Sequence, residues 1–215
     1  MRQPRRVTRP LVSTLGGLLA GMVMLGVNAA ETEKMESDML IDDFSREDGS
    51  SALGTRWDSF TDRVMGGVSD MQVEYRESDG QRVLHMAGQV RLENRGGFIQ
   101  VRLPLDPAGG SIDASAWDGI SVRVRGRPGA YYLHLRTRQN WMPWQYFRAP
   151  VEVGGDWQTQ RIAFDEFEGV STWRKLDLGA LESIAVVAYG EAFDADIEVA
   201  RIGFYARQGE SLADR

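Results

Sequence analysis

The sequence predicts an all-β fold, an antiparallel β-sandwich or jelly roll, and three observations support this prediction. Short stretches alternate apolar and polar residues with a period of two, which is typical of strands with one buried face. Clusters of Gly, Asp, Asn and Pro separate these stretches, as turns do between antiparallel strands. Beyond residue 38 the only helix candidates are single turns, around residues 113–117 and 177–181. Many short strands with regular turns and no long helix are typical of a two-sheet sandwich.

The alternation is clearest where Ile99, Val101 and Leu103 alternate with polar residues, and the pattern recurs at 120–125 and 131–136. The predicted strands, in chain order, are 40–44, 71–76, 83–90, 99–103, 120–125, 131–136, 146–153, 158–164, 184–188 and 197–205. Turn residues separate several of them at 78–80, 127–129 and 154–156. A chain of this length can bury one core without disulfides, so we expect a single domain.

The first 29 residues predict an export signal. They begin with Arg2, Arg5, Arg6 and Arg9, without an acid, and residues 11–27 then run without charge. That run of 17 residues is shorter than a bilayer-spanning helix requires, which favours a cleaved signal peptide and an exported, periplasmic protein. An uncleaved membrane anchor and an organellar transit peptide remain alternatives. The predicted order is a signal peptide at 1–29, an acidic spacer at 30–38, the domain at 39–207 and a polar tail at 208–215.

Composition excludes several classes of function. The leader holds four arginines and no acid, so the rest of the chain carries 21 basic against 31 acidic residues. Nucleic acid is therefore not an expected partner, because a phosphate-binding surface needs clustered Lys and Arg. The chain has no cysteine, which excludes disulfides, thiolate metal sites and cysteine nucleophiles.

A search for catalytic patterns finds no Gly-x-Ser-x-Gly elbow, no His-Glu-x-x-His and no phosphate-binding glycine loop. His85 and His134 each lie inside a predicted strand, where a packed or solvent-facing histidine is the ordinary outcome. The neighbouring acids of 42–43 and 165–166 point to opposite faces of an extended chain and make poor acid and base partners. The sequence therefore predicts a protein that is not an enzyme and needs no cofactor.

Asp194 and Asp196 flank one residue just before the last predicted strand. In an extended chain their carboxylates point the same way, as calcium ligands do. Because the sequence offers few further ligands, we favour a turn with two solvated acids and predict no metal.

An aromatic segment follows the strand that ends at Arg136 and Arg138. It contains Trp141, Trp144 and Tyr146, with a proline between the two tryptophans. Because this pattern does not fit a strand, at least one tryptophan is expected in a loop. The rings either form an exposed platform for a sugar or a protein partner, or cap the end of the sandwich core.

Two glycine-centred turns form the other candidate site. Paired glycines permit positive φ and close approach of backbones, and an asparagine tolerates the same left-handed region. An arginine beside such turns often clamps loop carbonyls or a carboxylate. The candidate binding residues are Asp62, Arg63, Met65, Gly66 and Gly67 in the first turn, and Asn94, Gly96 and Gly97 in the second.

These turns carry a family resemblance. Trp57 followed by residues 62–69, Asp-Arg-Val-Met-Gly-Gly-Val-Ser, and 93–98, Glu-Asn-Arg-Gly-Gly-Phe, resembles the complex I intermediate-associated protein 30 family. Later segments at 117–120, 155–158 and 164–167 are similar to that family's landmarks, so the resemblance covers about residues 40–205. It implies a galactose-binding-like β-sandwich without catalytic activity, and mitochondrial members act as assembly chaperones of the respiratory NADH dehydrogenase.

The resulting hypothesis is a non-catalytic, assembly-type domain that binds a protein partner, such as a membrane or respiratory complex, through the glycine turns. The alternative is a carbohydrate-binding module, in which Trp141, Trp144 and Tyr146 stack on sugar rings while Arg136 and Arg138 supply hydrogen bonds.

Overall fold

A computed structural model describes residues 38–206, and within them the fold is the predicted antiparallel β-sandwich. The signal peptide, residues 30–37 of the spacer and the tail at 208–215 lie outside the described residues, so these predictions stay predictions. The strands are β1 (Met39–Asp42), β2 (Asp58–Thr61), β3 (Asp70–Ser78), β4 (Gln81–Val90), β5 (Phe98–Pro104), β6 (Gly119–Gly126), β7 (Tyr131–Thr137), β8 (Tyr146–Val151), β9 (Gln158–Ala163), β10 (Glu168–Val170), β11 (Leu181–Tyr189) and β12 (Phe193–Tyr205).

The strands form two six-stranded sheets. The first has the order β3-β4-β12-β6-β9, and β1 pairs with the second half of β12. The second has the order β10-β8-β7-β11-β5-β2. All described pairings are antiparallel, and the chain crosses between the sheets several times, as in a jelly roll. Among residues 38–206 no helix is long and apolar enough to cross a bilayer.

The core lies between the two sheets, where the predicted alternation places it. Ile99, Val101 and Leu103 of β5 are fully buried, as are the inward residues of β6 and β7. A fully buried aliphatic side chain of this kind contributes about 1.5–3 kcal/mol by leaving water. The inner faces are therefore apolar throughout, and any binding function must use the outer faces or the loops.

Several local predictions need correction. The short edge strands β2 and β10 were not predicted, because residues 58–61 and 168–170 show no period-two pattern. The turn predicted at 177–181 contains a 3-10 helix at Leu178–Ala180, whereas residues 113–117 form a turn without helix. There, the carboxylate of Asp113 accepts hydrogen bonds from the backbone and hydroxyl of Ser115 and holds the turn. Further 3-10 helices, which the sequence did not predict, begin both glycine turns and follow β9.

Candidate functional site

The two glycine turns lie side by side at one end of the sandwich. Residues 62–69 connect β2 to β3, and residues 91–98 connect β4 to β5, so each connection passes from one sheet to the other. We call these two segments the turn pair. The structure thus brings together the eight turn residues that the sequence nominated, although they are separated by about 30 positions in the chain.

Asp62 holds the turn pair together from the inside. Its side chain is fully buried, and its Oδ1 accepts a hydrogen bond from the backbone N–H of Ser69 at 3.0 Å. Its Oδ2 accepts from the Ser69 hydroxyl at 2.6 Å and from the backbone N–H groups of Gly97 at 2.6 Å and Phe98 at 3.4 Å. Burial by itself would raise the pKa of Asp62, but these hydrogen bonds outweigh it and lower the pKa below 3.8.

The glycines allow the two backbones to approach this carboxylate. A Cβ on Gly67 would lie 2.3 Å from the Asp62 carboxyl carbon, and one on Gly96 would lie 2.4 Å from Oδ2. Asn94 has a φ of 56°, which confirms its predicted left-handed conformation. Gly66 and Gly97 also have positive φ, of 90° and 120°. Asp62, Gly67, Gly96 and Gly97 therefore build the turn pair and offer little surface to a partner.

Three large apolar side chains are exposed on the turn pair, together with the charged residues Arg63, Glu93 and Arg95. Val64 and Met65 keep 71% and 61% of their surface in solvent, and Leu92 on the second turn is also exposed. We call these three side chains the apolar tip. Next to them, Arg63 donates from Nε to the backbone carbonyl of Ser69 at 2.9 Å, which confirms the predicted clamp on a loop carbonyl. The tip is thus presented on a braced loop.

The tryptophans lie in loops at the other end of the second sheet. Trp141 is 84% exposed and Trp144 is 58% exposed, so the alternative that these rings cap the core is wrong. Both lie between β7 and β8, which confirms the loop prediction. Trp173, which the sequence analysis did not nominate, is 91% exposed in the connection after β10. We call residues 138–145 and 171–176 the tryptophan loops.

An open concavity of about 390 Å³ lies where the first tryptophan loop meets the outer face of the second sheet. Arg136, Trp141, Glu182 and Arg102 are among the residues that line it. The Arg136 guanidinium donates to the backbone carbonyls of Asn140 at 2.7 Å and Pro143 at 2.9 Å, so it braces the loop that carries Trp141. Trp141 and Arg136 therefore share one surface, as the sugar-binding hypothesis requires. Arg138 is exposed beside them.

Tyr146 does not extend the tryptophan surface in the way the sequence predicted. Its ring stacks on His134, with centroids 4.1 Å apart and planes at 16°. Within residues 38–206 no ring contact joins Tyr146 to Trp141 or Trp144. Burial, together with the charge of Tyr189 and a hydrogen bond with it, raises the pKa of Tyr146 to about 12. Burial and the nearby charge of Arg148 lower the pKa of His134 to about 3, so this histidine is neutral at physiological pH. Tyr146 and His134 thus form a neutral aromatic patch on the outer face of the sheet.

The turn pair and the tryptophan loops are well separated. At the end of the sheet near the turn pair, Ile99 of β5 and Tyr131 of β7 pair with Ala188 of β11. Thr137, just before the first tryptophan loop, pairs with Leu181 of β11. Seven residues of strand span about 23 Å. The two predicted sites are therefore two surfaces at opposite ends of one sheet.

Comparison with known proteins agrees with the turn motifs. The family described as Complex I intermediate-associated protein 30 matches residues 43–190, which includes both glycine turns. The chain belongs to the complex I intermediate-associated protein 30 family. No curated protein matches the chain in sequence.

Solved structures similar to this family member include carbohydrate-binding modules and an agarase, AgWH50C. The family 11 module of the cellulosomal cellulase Lic26A-Cel5E of Clostridium thermocellum has a TM-score of 0.63 at 16% identity, over 79% of this chain and 95% of that one. The same module in complex with a β-1,3-1,4-mixed-linked tetrasaccharide has a TM-score of 0.61, with the same identity and coverage. A family 30 carbohydrate-binding module has a TM-score of 0.51 at 14% identity, over 70% of this chain and 91% of that one. At these identities the similarity shows the fold alone.

Trp57, the first residue of the family motif, has a structural role in this member. Its indole N–H donates to Oδ2 of the buried Asp42 at 2.8 Å, and the backbone N–H of Phe44 donates to Oδ1. Burial raises the pKa of Asp42 despite these hydrogen bonds. The interaction ties the start of the domain to the strand that leads into the first turn.

The predicted turn around Asp194 and Asp196 is wrong, because both residues lie inside β12. The Asp196 carboxylate is 2.9 Å from Nε2 of His85, and the Asp194 carboxylate lies within 3.5 Å of both Gln89 and Arg127. Within residues 38–206 no group of three or more potential ligands could hold a metal ion. The two acids belong to a polar network on the outer face of the first sheet.

Glu198 is the centre of that outer face, although no local sequence motif marks it. Its buried carboxylate accepts from Arg76 at 2.7 Å, from Arg125 at 2.6 Å and from the Ser78 hydroxyl at 2.9 Å. Burial would raise the pKa of Glu198, but hydrogen bonds from Arg125, Arg76 and Ser78 lower it below 4.5. Arg76, Arg125 and Ser78 of the same face satisfy the Glu198 carboxylate, so we infer that this network stabilises the sheet.

Proposed function

We propose that this domain binds a protein partner without catalysis, in the manner of an assembly factor, and that the apolar tip is its contact surface. Val64, Met65 and Leu92 carry this proposal, because three large apolar side chains stand in solvent on loops that the buried Asp62 braces. A braced loop loses little backbone entropy on binding, and burying exposed apolar side chains against a partner is favourable because it removes their surface from water.

Membership of the complex I intermediate-associated protein 30 family supports a role in assembling a protein complex. The titratable groups of the described residues support a role without catalysis. His134 is buried and neutral, and His85 lies between the carboxylates of Glu74 and Asp196 on a network of surface charges. Within residues 38–206 neither histidine forms a hydrogen bond with a serine or threonine hydroxyl.

Replacing Val64 and Met65 together with serine tests the apolar tip. We expect at least a tenfold loss of the co-purifying partner when the tagged full chain is captured from its native host after mild crosslinking. Two anchors worth about 1 kcal/mol or more each account for that factor. Because both side chains are exposed, the free energy of unfolding should change by about 0.5 kcal/mol or less.

Met142→Ser is the matched control, since it removes another exposed methionine at the opposite end of the sheet. Its capture should equal that of the unmodified chain. Equal recovery of the partner with the Val64→Ser/Met65→Ser variant would show that the apolar tip is not the contact surface.

Glycan binding is the second candidate, and the concavity next to Trp141 favours it. An exposed indole beside Arg136, Arg102 and Glu182 combines a stacking surface with donors and acceptors for hydroxyl groups.

Electrophoresis through a gel that contains β-1,3-1,4-mixed-linked glucan tests this candidate. A glycan-binding chain should be retarded, Trp141→Ala should migrate freely, and Trp173→Ala should be retarded like the unmodified chain, because Trp173 does not line the concavity. Free migration of the unmodified chain, or undiminished retardation of Trp141→Ala, would argue against this glucan as the ligand.

A further inference from the structure

We propose that the tryptophan loops dock the domain onto the surface of a lipid bilayer with anionic headgroups. This inference goes beyond partner binding by the apolar tip, since it concerns the opposite end of the sheet. It is carried by the juxtaposition of exposed indoles with unpaired cations on two neighbouring loops.

The two loops form one surface. Tyr146 of β8 pairs with Val170 of β10, so the chain leaves the sheet at two adjacent points. Just beyond that pair, the side-chain amide of Gln145 donates to the backbone carbonyl of Ser171 at 3.3 Å. Trp144 directly precedes Gln145, and Trp173 lies two residues after Ser171. The two loops that carry these indoles therefore lie next to each other.

The exposed apolar area of this end is large. Trp141, Trp144 and Trp173 are exposed together with Met142, and none of these side chains is part of the core. None of the three indole N–H groups donates a hydrogen bond within residues 38–206. An indole with an apolar body and an unsatisfied donor suits the boundary between acyl chains and headgroups, where tryptophan is enriched.

The positive charge of the tryptophan loops favours a membrane with anionic headgroups. Arg138, Arg174 and Lys175 are exposed in the loops, and none forms an ion pair with a carboxylate in the described part of the chain. Residues 138–145 and 171–176 contain no Asp or Glu, although the whole chain has a formal net charge of −6. Each Lys or Arg near an anionic surface strengthens binding about fivefold. The loops are thus a cationic end on an acidic protein.

Two acids, Asp177 and Glu182, lie near the loops, fewer than the three cations. Asp177 follows the second loop and accepts from the side-chain amide of Gln139 at 2.7 Å. Glu182 lies further back, in the concavity that Arg136 also lines. With the indoles in a bilayer, the apolar tip at the far end of the sheet would point into solvent, free to meet a partner.

The chain has no cysteine, which allows one label to report on each end. Full-length Met142→Cys and Met65→Cys variants, each carrying an environment-sensitive NBD label, are mixed with vesicles of phosphatidylcholine that contain phosphatidylglycerol. We expect a blue shift and an intensity rise at position 142, quenched by lipids brominated near the glycerol, and no change at position 65. Both proteins contain residues 1–29, so tethering by that segment cannot produce a difference between the two labels.

Variants of the Met142→Cys protein identify the residues that bind. Trp144→Ala with Trp173→Ala should abolish the blue shift, and Arg174→Gln with Lys175→Gln should weaken vesicle binding about fivefold for each charge removed. The proposal is overturned if label 142 stays in water on anionic vesicles, or if both labels change alike. It is also overturned if the tryptophan variants lose glucan retardation while the label reports no insertion, because the loops would then serve a glycan.

Discussion

Replacing Asp62 with alanine is expected to lower the free energy of unfolding by about 3–5 kcal/mol. The substitution leaves the buried N–H groups of Ser69 and Gly97, and the part-buried N–H of Phe98, without their acceptor, and each unsatisfied buried donor costs about 1–3 kcal/mol. Urea denaturation followed by circular dichroism measures the change. Asp70→Ala is the control, because Asp70 is exposed and its contacts, an ion pair with Arg91 at 3.7 Å and a hydrogen bond from the Gln89 backbone N–H at 3.3 Å, are also exposed, so it should cost about 0.5 kcal/mol.

The effect of Asp62 should depend on pH in a defined direction. Its pKa is lowered in the folded protein, so the stability that its charge contributes is fully present above the unfolded value of about 3.9. That contribution is lost as pH falls through the lower folded pKa. The difference between the unmodified chain and Asp62→Ala should thus be constant above about pH 5 and shrink in stronger acid. A difference that grows in acid would contradict this assignment.

Glu198→Ala is the second substitution with a large expected effect, a loss of about 3–5 kcal/mol in the free energy of unfolding. It would leave the guanidinium groups of Arg76 and Arg125 facing each other across a part-buried site without their shared carboxylate. Since the pKa of Glu198 is also lowered, its contribution should be fully present above the unfolded pKa of about 4.3 and lost as pH falls through the lower folded pKa.

Glu74→Ala provides the comparison for Glu198. Glu74 lies 3.4 Å from the same Arg76, but its side chain is mostly exposed, so its removal should cost about 0.5 kcal/mol or less. Equal midpoints of urea unfolding for the two variants would show that the Glu198 network does not stabilise the sheet.

The strands that the sequence predicted well are those whose pattern reflects burial on one face. Residues such as Val101 and Leu133 alternate with polar neighbours because each strand has one face in the core. β2 and β10 escaped prediction since they are short edge strands, and hydrogen bonds to β5 and β8, not a burial pattern, define them.

The candidate sites were predictable only in part. The glycine turns were visible as local motifs, but the hydrogen bond from Gly97 to Asp62 spans 35 positions and depends on the crossing between sheets. Sequence spacing therefore could not show that Asp62 braces the turns while Val64 and Met65 remain exposed. Trp173 could not be linked to the other tryptophans for the same reason, because only the pairing of β10 with β8 places its loop next to the loop of Trp144.

Site-specific photo-crosslinking tests the central claim most directly. A benzophenone amino acid replaces Val64 in the full chain, and in a control chain it replaces Thr159, an exposed residue of β9. Irradiation in the native host should join position 64, and not position 159, to one protein partner. A partner that crosslinks equally from both positions, or one that co-purifies but never crosslinks from position 64, would contradict binding through the apolar tip.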